Sequence, residues 1–122
     1  MEAQTVRIAV QHGVILVGSR RGVPPERFDG KPVAATDSVV AVTTLHEVDG
    51  ETLIRLAGPD QPERPLGVRA FHGSLSVPDG KVCVCTTTDE VLLEATASTA
   101  SPLVTVWTND DNSPSEVVVA VH

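Results

Sequence analysis

The two cysteines of this 122-residue chain are separated by one residue, in Cys83-Val84-Cys85. In an extended strand, residues two apart point to the same face and lie about 7 Å from each other along the chain. That spacing is too long for an unstrained disulfide. Zinc knuckles place at least two residues between their cysteines and need a second ligand pair, which the sequence lacks. The pattern favours two small structural residues, in the core or on the outer face opposite Val82 and Val84.

The four histidines are the next candidates for chemistry: His12, His46, His72 and His122. His12 and His72 each precede a glycine at an interruption of a β pattern, so the two could flank one end of a sheet. A zinc site there would need a third ligand, and no spacing supplies one. The sequence also contains no nucleophile elbow and no phosphate-binding glycine loop. We therefore expect no catalytic residue, metal or cofactor, and retain His12 and His72 only for an alternative metal-binding or enzymatic function.

Carboxylates dominate the charge of the chain, which is −7 from 16 acidic and 9 basic residues. From Gly73 onward only Lys81 opposes seven acids. Within this part, Asp89-Glu90 and Asp110-Asp111-Asn112 fall at turns between β-rich runs. The second group resembles a calcium loop in residue type only, because the glycine turn and the terminal bidentate glutamate are missing. We predict that these five residues contact a basic protein partner, through charge complementarity.

A second candidate surface is basic and proline-rich. Residues 19–36 contain three prolines and four basic residues and show no periodicity. An irregular connection of this length in a small domain suggests a binding loop that presents Arg20, Arg21, Arg27 and Phe28. The alternative is a surface loop that covers one end of a sheet.

The elements that must position these residues are predicted to be strands. Valine and threonine are abundant, aromatic residues make up 2% of the chain, and nine glycines and nine prolines interrupt it at short intervals. This composition and the alternating runs predict one all-β domain over residues 1–122, an antiparallel β-sandwich of about eight to ten short strands with no substantial helix. The predicted core is: Val6, Ile8, Val10, Ile15, Val40, Val42, Ile54, Leu56, Val68, Leu75, Val82, Val84, Leu93, Val104, Val106, Val117 and Val119.

Four connections follow from the same pattern. The run 5–10 is expected to pair with 14–17, and the run 38–45 is expected to form a hairpin with 51–56 around Asp49-Gly50. The two proline-rich segments, at 19–36 and 58–65, are expected to cross from one sheet to the other. The valine-rich run 115–121 is expected to be an edge strand that could pair with a second copy of the chain.

The last third of the chain resembles a known family. The strand 102–108, the polar loop after it and the final valine-rich strand are similar to the end of small bacterial competence-associated nuclease inhibitors. The turns at His12-Gly13 and Pro78-Asp79-Gly80 fit the same outline, and the segment 19–36 departs from it. The resemblance implies an all-β sandwich that inhibits a basic nuclease or toxin without being an enzyme.

These observations favour one function and leave two alternatives. The favoured function is an acidic, inhibitor- or immunity-type binding module for a basic protein. The alternatives are a self-assembling β protein, such as a homodimer formed through edge strands, and the small His12/His72 metal protein or enzyme. The negative charge argues against direct binding of nucleic acid or an anionic membrane surface. With two cysteines, no visible signal peptide and no apolar run long enough for a membrane span, a cytoplasmic location is expected.

Overall fold

A computed structural model shows two five-stranded β-sheets packed face to face, and it describes residues 3–26, 28, 31–61 and 64–122. The strands of the first sheet are, in spatial order, β1 (Gln4–Ile8), β5 (Thr52–Ala57), β10 (Glu116–Val121), β9 (Leu103–Thr108) and β6 (Val68–Ser74). Those of the second sheet are β3 (Val33–Ala35), β4 (Val39–Thr43), β2 (Val14–Gly18), β7 (Lys81–Thr86) and β8 (Val91–Thr96). The predicted all-β sandwich is confirmed.

Helical structure in these ranges is confined to two three-residue 3₁₀ turns, Gln11–Gly13 and Glu47–Asp49. Neither turn has the length or the apolar character that a membrane-spanning helix needs.

The alternation of side chains fills the space between the sheets with valine, leucine and isoleucine. Most of the predicted core residues lie there, and Val17, Val77 and Val121 join them. Val68 does not belong to the core, because a β-bulge between Arg69 and Phe71 shifts the register of β6 and turns Phe71 against the core instead. Val6 and Ile8 are only partly buried, as expected for an edge strand.

The predicted pairing of the first two strands is wrong. β1 pairs with β5 in the first sheet, whereas β2 lies between β4 and β7 in the second. His12 and Gly13 both adopt positive φ, of 61° and 62°, and the N–H of Gly13 donates to the carbonyl of Val10. This tight turn sends the chain to the opposite sheet instead of back along β1.

The predicted hairpin around Asp49-Gly50 is also wrong, because β4 belongs to the second sheet and β5 to the first. Gly50 has a φ of 136°, which glycine tolerates best, but the residues before it form a 3₁₀ turn instead of a two-residue hairpin loop. Residues 44–51 therefore cross between the sheets.

The two proline-rich segments do not cross between sheets. One joins β2 to β3 and the other joins β5 to β6. In each case the two strands lie in one sheet and run in the same direction, although they are not hydrogen-bonded neighbours. A connection between parallel strands must return along the full length of the sheet, which explains why these two segments are long. The first segment also contains β3, which the sequence did not predict.

The run 115–121 is not an edge. β10 lies between β5 and β9, and it pairs in parallel with β5, the one parallel pair among the described strands. Residues 117–121 are all at most 2% exposed. An uninterrupted apolar run is typical of a strand covered on both faces, so the valine repeat marks a central strand. Self-assembly through this strand is therefore ruled out.

On one side of the sandwich, a side chain bridges the edge strand of the first sheet and the edge strand of the second. The Nε2 of Gln4 on β1 donates to the carbonyl oxygen of Glu94 on β8 at 2.6 Å, and the N–H of Glu94 donates to the Oε1 of Gln4 at 3.4 Å. The amide group of Gln4 thus occupies backbone groups that a further strand would otherwise use.

Candidate functional site

Four loops meet at one end of the sandwich. The strands β1, β4, β7 and β9 finish there, and β2, β5, β8 and β10 begin there. The loops are residues 9–13, 44–51, 87–90 and 109–115, and we call their combined surface the acidic end. It carries seven exposed acids: Glu47, Asp49, Glu51, Asp89, Glu90, Asp110 and Asp111.

Hydrogen bonds join the four loops in series across this end. The Oγ1 of Thr88 donates to the Oε1 of Gln11 at 3.1 Å, and the N–H of Thr44 donates to the carbonyl of Gly13 at 2.7 Å. The N–H of Leu45 then donates to the carbonyl of Pro114 at 2.9 Å. The two backbone hydrogen bonds and the side-chain hydrogen bond between Thr88 and Gln11 restrain the relative positions of the loops, which lowers the entropy cost of binding.

Asn109 fixes the loop between β9 and β10, which we call the acidic hairpin (residues 109–115). Its Oδ1 accepts hydrogen bonds from the N–H groups of Ser115 and Glu116, at 3.0 and 3.1 Å, and its Nδ2 donates to the Oγ of Ser115. Asp110 and Asp111 protrude beyond this clamp and are exposed, as is Asn112. The clamp therefore orders the base of the loop and leaves the carboxylates to solvent.

The charge at this end is largely unpaired. Within the described ranges, the single ion pair made by these seven acids joins the Oδ1 of Asp89 to the Nε of Arg20 at 3.7 Å. Both side chains of that pair are more than half exposed, so it adds little stability. The unpaired carboxylates therefore give this end of the sandwich a negative electrostatic potential.

An apolar side chain stands among the acids. Val48 is 81% exposed, the highest value among the large hydrophobic residues that the structure describes. Its backbone N–H donates to the Nδ1 of His46 at 3.2 Å, and the N–H of Asp49 donates to the carbonyl of His46. The turn is thus internally held and presents Val48 between Glu47 and Asp49. An exposed apolar group with a polar rim is typical of protein-binding surfaces.

The predicted partner-binding residues are only partly brought together. Asp89 and Glu90 lie at one side of the acidic end, and Asp110, Asp111 and Asn112 lie at the other, with the loops 9–13 and 44–51 between them. Arg20 joins this surface through Asp89.

Arg21 and Phe28 lie apart from that surface, and Arg27 is outside the described residues. Arg21 lines a wide depression on the outer face of the second sheet. Phe28 is half-buried, and its carbonyl oxygen accepts a hydrogen bond from the N–H of Lys31.

Sequence reasoning did not single out Glu47, Val48, Asp49 and Glu51. The sequence signal was three acids at alternate positions around an isolated valine. The interpretation of Asp49-Gly50 as a hairpin turn obscured that signal.

His12 and His72, which were retained for an alternative metal-binding or enzymatic function, do not form a site. His12 lies in the turn at the acidic end, whereas His72 lies on β6 at the far edge of the first sheet, with its Nδ1 2.8 Å from the Oγ1 of Thr105.

The cysteines occupy a groove on the outer face of the second sheet, as one of the two sequence interpretations predicted. Val82 and Val84 point into the core, and Cys83 and Cys85 point away from it. The segment 19–24 covers them, so they are 2% and 6% exposed. The groove has a volume of about 230 Å³ and an apolar floor that includes Leu16 and Val39.

Both thiols in this groove are held in the neutral form. Burial raises the pKa of Cys83 to about 12, and the hydrogen bond from its Sγ to the Oε2 of Glu94, at 3.4 Å, contributes to the rise. Burial raises the pKa of Cys85 as well. Neutral thiols are poor nucleophiles, so the groove does not have the character of a covalent catalytic site. No cluster of three or more potential metal-ligating side chains occurs in the part of the chain that the structure describes.

The architecture places the chain in a class of small all-β sandwiches that includes a nuclease inhibitor of known structure. That protein is ComJ, the inhibitor of the DNA-degrading activity of NucA from Bacillus subtilis. The match covers 97% of this chain and 93% of that chain with a TM-score of 0.58, and the two sequences are 11% identical. The predicted resemblance to nuclease inhibitors is thus confirmed as a likeness of fold.

Comparisons of sequence add nothing to this likeness. No protein-family model matches the chain, and no curated protein matches it.

Proposed function

We propose that this chain is a non-enzymatic inhibitor of immunity type, which binds a basic protein partner through the acidic end. The observation that carries the proposal is the meeting of seven exposed acids from four hydrogen-bonded loops around the exposed Val48. The fold shared with ComJ, whose described role is inhibition of a nuclease, supports a nuclease as the partner. A nuclease must bind polyanionic substrate, so its active cleft offers the complementary positive charge.

The mode of binding follows from the shape and charge of this end. The carboxylates draw the partner in and set its orientation, and Val48 provides an apolar contact at the centre of the surface. Occupation of the basic cleft by protein carboxylates would exclude nucleic acid from it. The two unpaired cysteines suit a reducing environment, and we place this action in the cytoplasm.

The test compares two triple variants with the same change in net charge. Asp49→Asn, Asp110→Asn and Asp111→Asn remove charge from the acidic end. Asp37→Asn, Asp60→Asn and Asp79→Asn remove charge from exposed positions at the opposite end. Plasmid degradation by purified basic nucleases, including NucA and those of the source organism, is measured with each protein, and affinity is measured by calorimetry at increasing salt.

The wild-type protein should inhibit one of these nucleases with an affinity that falls as salt rises. The acidic-end variant should lose affinity by about tenfold or more, and the opposite-end variant should retain it. An equal loss of inhibition in both variants would contradict the proposal, and so would full inhibition by both. The proposal would also be contradicted if the wild-type protein inhibited none of the nucleases tested.

Val48 has its own matched control, because Val23 is similarly exposed, at 71%, on the segment that covers the second sheet. Val48→Ser should weaken binding by about tenfold with unchanged stability, since the side chain makes its main contacts in the complex. Val23→Ser should leave affinity unchanged. Equal effects of the two substitutions would show that exposed apolar area in general, and not Val48, drives the interaction.

A further inference from the structure

The edge strands β3 and β6 lie on the side of the sandwich opposite β1 and β8, and a cleft separates them. This cleft borders the acidic hairpin and has a volume of about 40 Å³, and we call it the hairpin cleft. Its apolar lining includes Val33 of β3, Val42 of β4, and Val68 and Ala70 of β6. Its polar lining includes Asp110 and Asp111, so an apolar space adjoins two carboxylates of the acidic end.

A β-bulge shapes one wall of the hairpin cleft. The register of β6 against β9 shifts between Arg69 and Phe71, and Phe71 packs against the core whereas Val68 does not join it. Val68 lines the cleft instead and is half-buried. β-bulges are frequent beside binding sites, where they re-aim a side chain. The bulge thus leaves an apolar side chain at the edge of the sheet that the core does not use.

Hydrogen bonds hold the walls of the hairpin cleft in place. The N–H of Thr43 donates to the carbonyl oxygen of Pro32 at 2.9 Å, which restrains the chain where it enters β3. The Oγ1 of Thr108 donates to the carbonyl oxygen of Asp110 at 3.1 Å, which restrains the start of the acidic hairpin. The cleft is therefore preformed, and a ligand that enters it does not have to order these segments.

The lining favours a cationic side chain with an aliphatic stem. Asp110 and Asp111 are exposed, and neither carboxylate forms an ion pair with any residue that the structure describes. Arginine and lysine bury their methylene groups along apolar surface and keep the charged group in water. A volume of about 40 Å³ accommodates about three water-sized groups, at roughly 10–15 Å³ each, which matches the three methylene groups of arginine. The planar guanidinium can contact two carboxylates at once, whereas the ammonium group of lysine is a point charge.

We propose that the hairpin cleft binds an arginine side chain of the basic partner, with the stem between Val33 and Val68 and the guanidinium at Asp110 and Asp111. Since this arginine belongs to the protein that the acidic end binds, the assignment rests on the proposed function. The seven acids attract a basic surface without selecting one residue of it. The cleft adds a fixed anchor point, which sets the register of the complex.

The experiment titrates the intact protein, with isotope-labelled methyl groups, with n-butylguanidinium, which reproduces an arginine side chain. The methyl resonances of Val33, Val42 and Val68 should shift saturably, with a dissociation constant on the order of millimolar. Guanidinium, which lacks the stem, and 1-butanol, which lacks the charge, should bind at least about fivefold more weakly. n-Butylammonium, which represents lysine, should also bind more weakly at the same ionic strength.

One pair of variants tests the space in the hairpin cleft. Ala70→Leu fills the cleft without changing its charge and should weaken n-butylguanidinium binding by more than about tenfold. Ala95→Leu makes the same change at a partly buried position of β8, on the opposite side of the sandwich, and should bind like the wild type.

A second pair tests the charge. The double variant Asp110→Asn, Asp111→Asn should bind n-butylguanidinium at least about fivefold more weakly, because only the apolar contact remains. The double variant Asp37→Asn, Asp79→Asn removes the same charge from exposed positions at the opposite end and should keep wild-type affinity.

The arginine site would be overturned by the absence of a saturable shift, or by equal binding of 1-butanol or n-butylammonium. Wild-type affinity in Ala70→Leu or in the Asp110/Asp111 variant would overturn it as well. The Asp110/Asp111 variant changes exposed side chains only, so its result decides the question even if Ala70→Leu does not fold.

Nuclease inhibition gives a separate readout. A folded Ala70→Leu variant should inhibit at least about tenfold more weakly than the wild type, with no change in net charge. If it inhibited as well as the wild type while the acidic-end variant lost inhibition, the arginine site would be overturned and the proposed function would stand. The probe titration needs no nuclease, so failure of the proposed function cannot produce any of the titration results.

Discussion

The N–H of Leu45 donates a 2.9 Å hydrogen bond to the carbonyl oxygen of Pro114, which joins the crossover from β4 to β5 to the acidic hairpin. The two residues are far apart in sequence: Leu45 follows β4 of the second sheet, and Pro114 lies between β9 and β10 of the first. Leu53, at the start of β5, repeats the link through its N–H to the carbonyl of Ser115. The acids of residues 47–51 and of the acidic hairpin therefore form one surface, whose rigidity depends on the hairpin keeping its shape.

Asn109→Ala should loosen the acidic hairpin. The substitution removes the side-chain acceptor of the N–H groups of Ser115 and Glu116. Because both hydrogen bonds are exposed and water can replace the acceptor, we expect a cost of about 1 kcal/mol in the free energy of unfolding. Urea denaturation measures that cost, and hydrogen exchange should show faster exchange at residues 110–116. Asn112→Ala is the matched control, since Asn112 is exposed and the structure gives its side chain no hydrogen bond within the described residues. Equal stability of the two variants would contradict the clamp.

Gly18→Ala should be strongly destabilising. Gly18 has a φ of 138°, and a Cβ at this position would collide with the carbonyl oxygen of Ser38. The oxygen is a backbone atom that also accepts the N–H of Ser19, and the position of the Cβ is set by the backbone of residue 18, so neither atom can move aside easily. We expect a loss of more than about 2 kcal/mol in the free energy of unfolding. Gly67→Ala serves as the comparison, because no atom lies within 4 Å of the Cβ it would gain. Thermal and urea unfolding of both variants measure the difference, and a mild effect at Gly18 would contradict the geometry.

Stability should fall above pH 9 because of Cys83. Its pKa rises from 9.0 to about 12 on folding, so between these values the folded chain retains a proton that the unfolded chain has lost. Stability from this group is fully present below pH 9 and is lost as pH rises towards 12, at about 1.4 kcal/mol per pH unit. Urea midpoints of the wild type and of Cys83→Ala, measured from pH 8 to pH 10.5, isolate the effect. If the urea midpoints of the two proteins changed equally with pH, Cys83 would not be the cause of the loss of stability.

Gln4→Ala should open the edge of β8. The Gln4 amide makes two hydrogen bonds with the backbone of Glu94, and because both residues are exposed we expect a loss of only about 1 kcal/mol. The clearer readout is local, since the amide of Glu94 should exchange with solvent faster while the amides of β4 remain unchanged. Gln4→Glu gives a related comparison, because it keeps one acceptor for the Glu94 N–H and removes the donor. An unchanged exchange rate in Gln4→Ala would show that the edge is not closed by this side chain.

The strands could be predicted from the sequence, whereas their partners could not. Alternation in runs such as 102–108 fixes which residues face inward, because a half-buried strand has a period of two. Pairing depends on where each turn sends the chain. At His12-Gly13 the positive φ values of two adjacent residues direct it to the other sheet, and a dipeptide signal cannot distinguish this path from a hairpin.

The sequence predicted only part of the candidate site, because the rest of the site depends on which strands become neighbours. Asp110 and Asp111 were identifiable because they form a polar interruption between two strong strands. Glu47 and Asp49 come to the same surface through the pairing of β5 with β10 and the hydrogen bond between Leu45 and Pro114, long-range contacts that neither composition nor periodicity encodes. Val48 was overlooked because Asp49-Gly50 was interpreted as a hairpin turn, whereas residues 47–49 form a 3₁₀ turn that exposes this side chain.

The parallel pair of β5 and β10 has a consequence for the order of events during synthesis on the ribosome. β5 is complete at residue 57, but its neighbour in the sheet begins at residue 116. Until β10 emerges, one side of β5 and one side of β9 lack their partner, and the first sheet exists as two separate pieces. The nascent chain must therefore keep two apolar strand edges from aggregating until β10 has been synthesised, and pairings of such long range are slow to form.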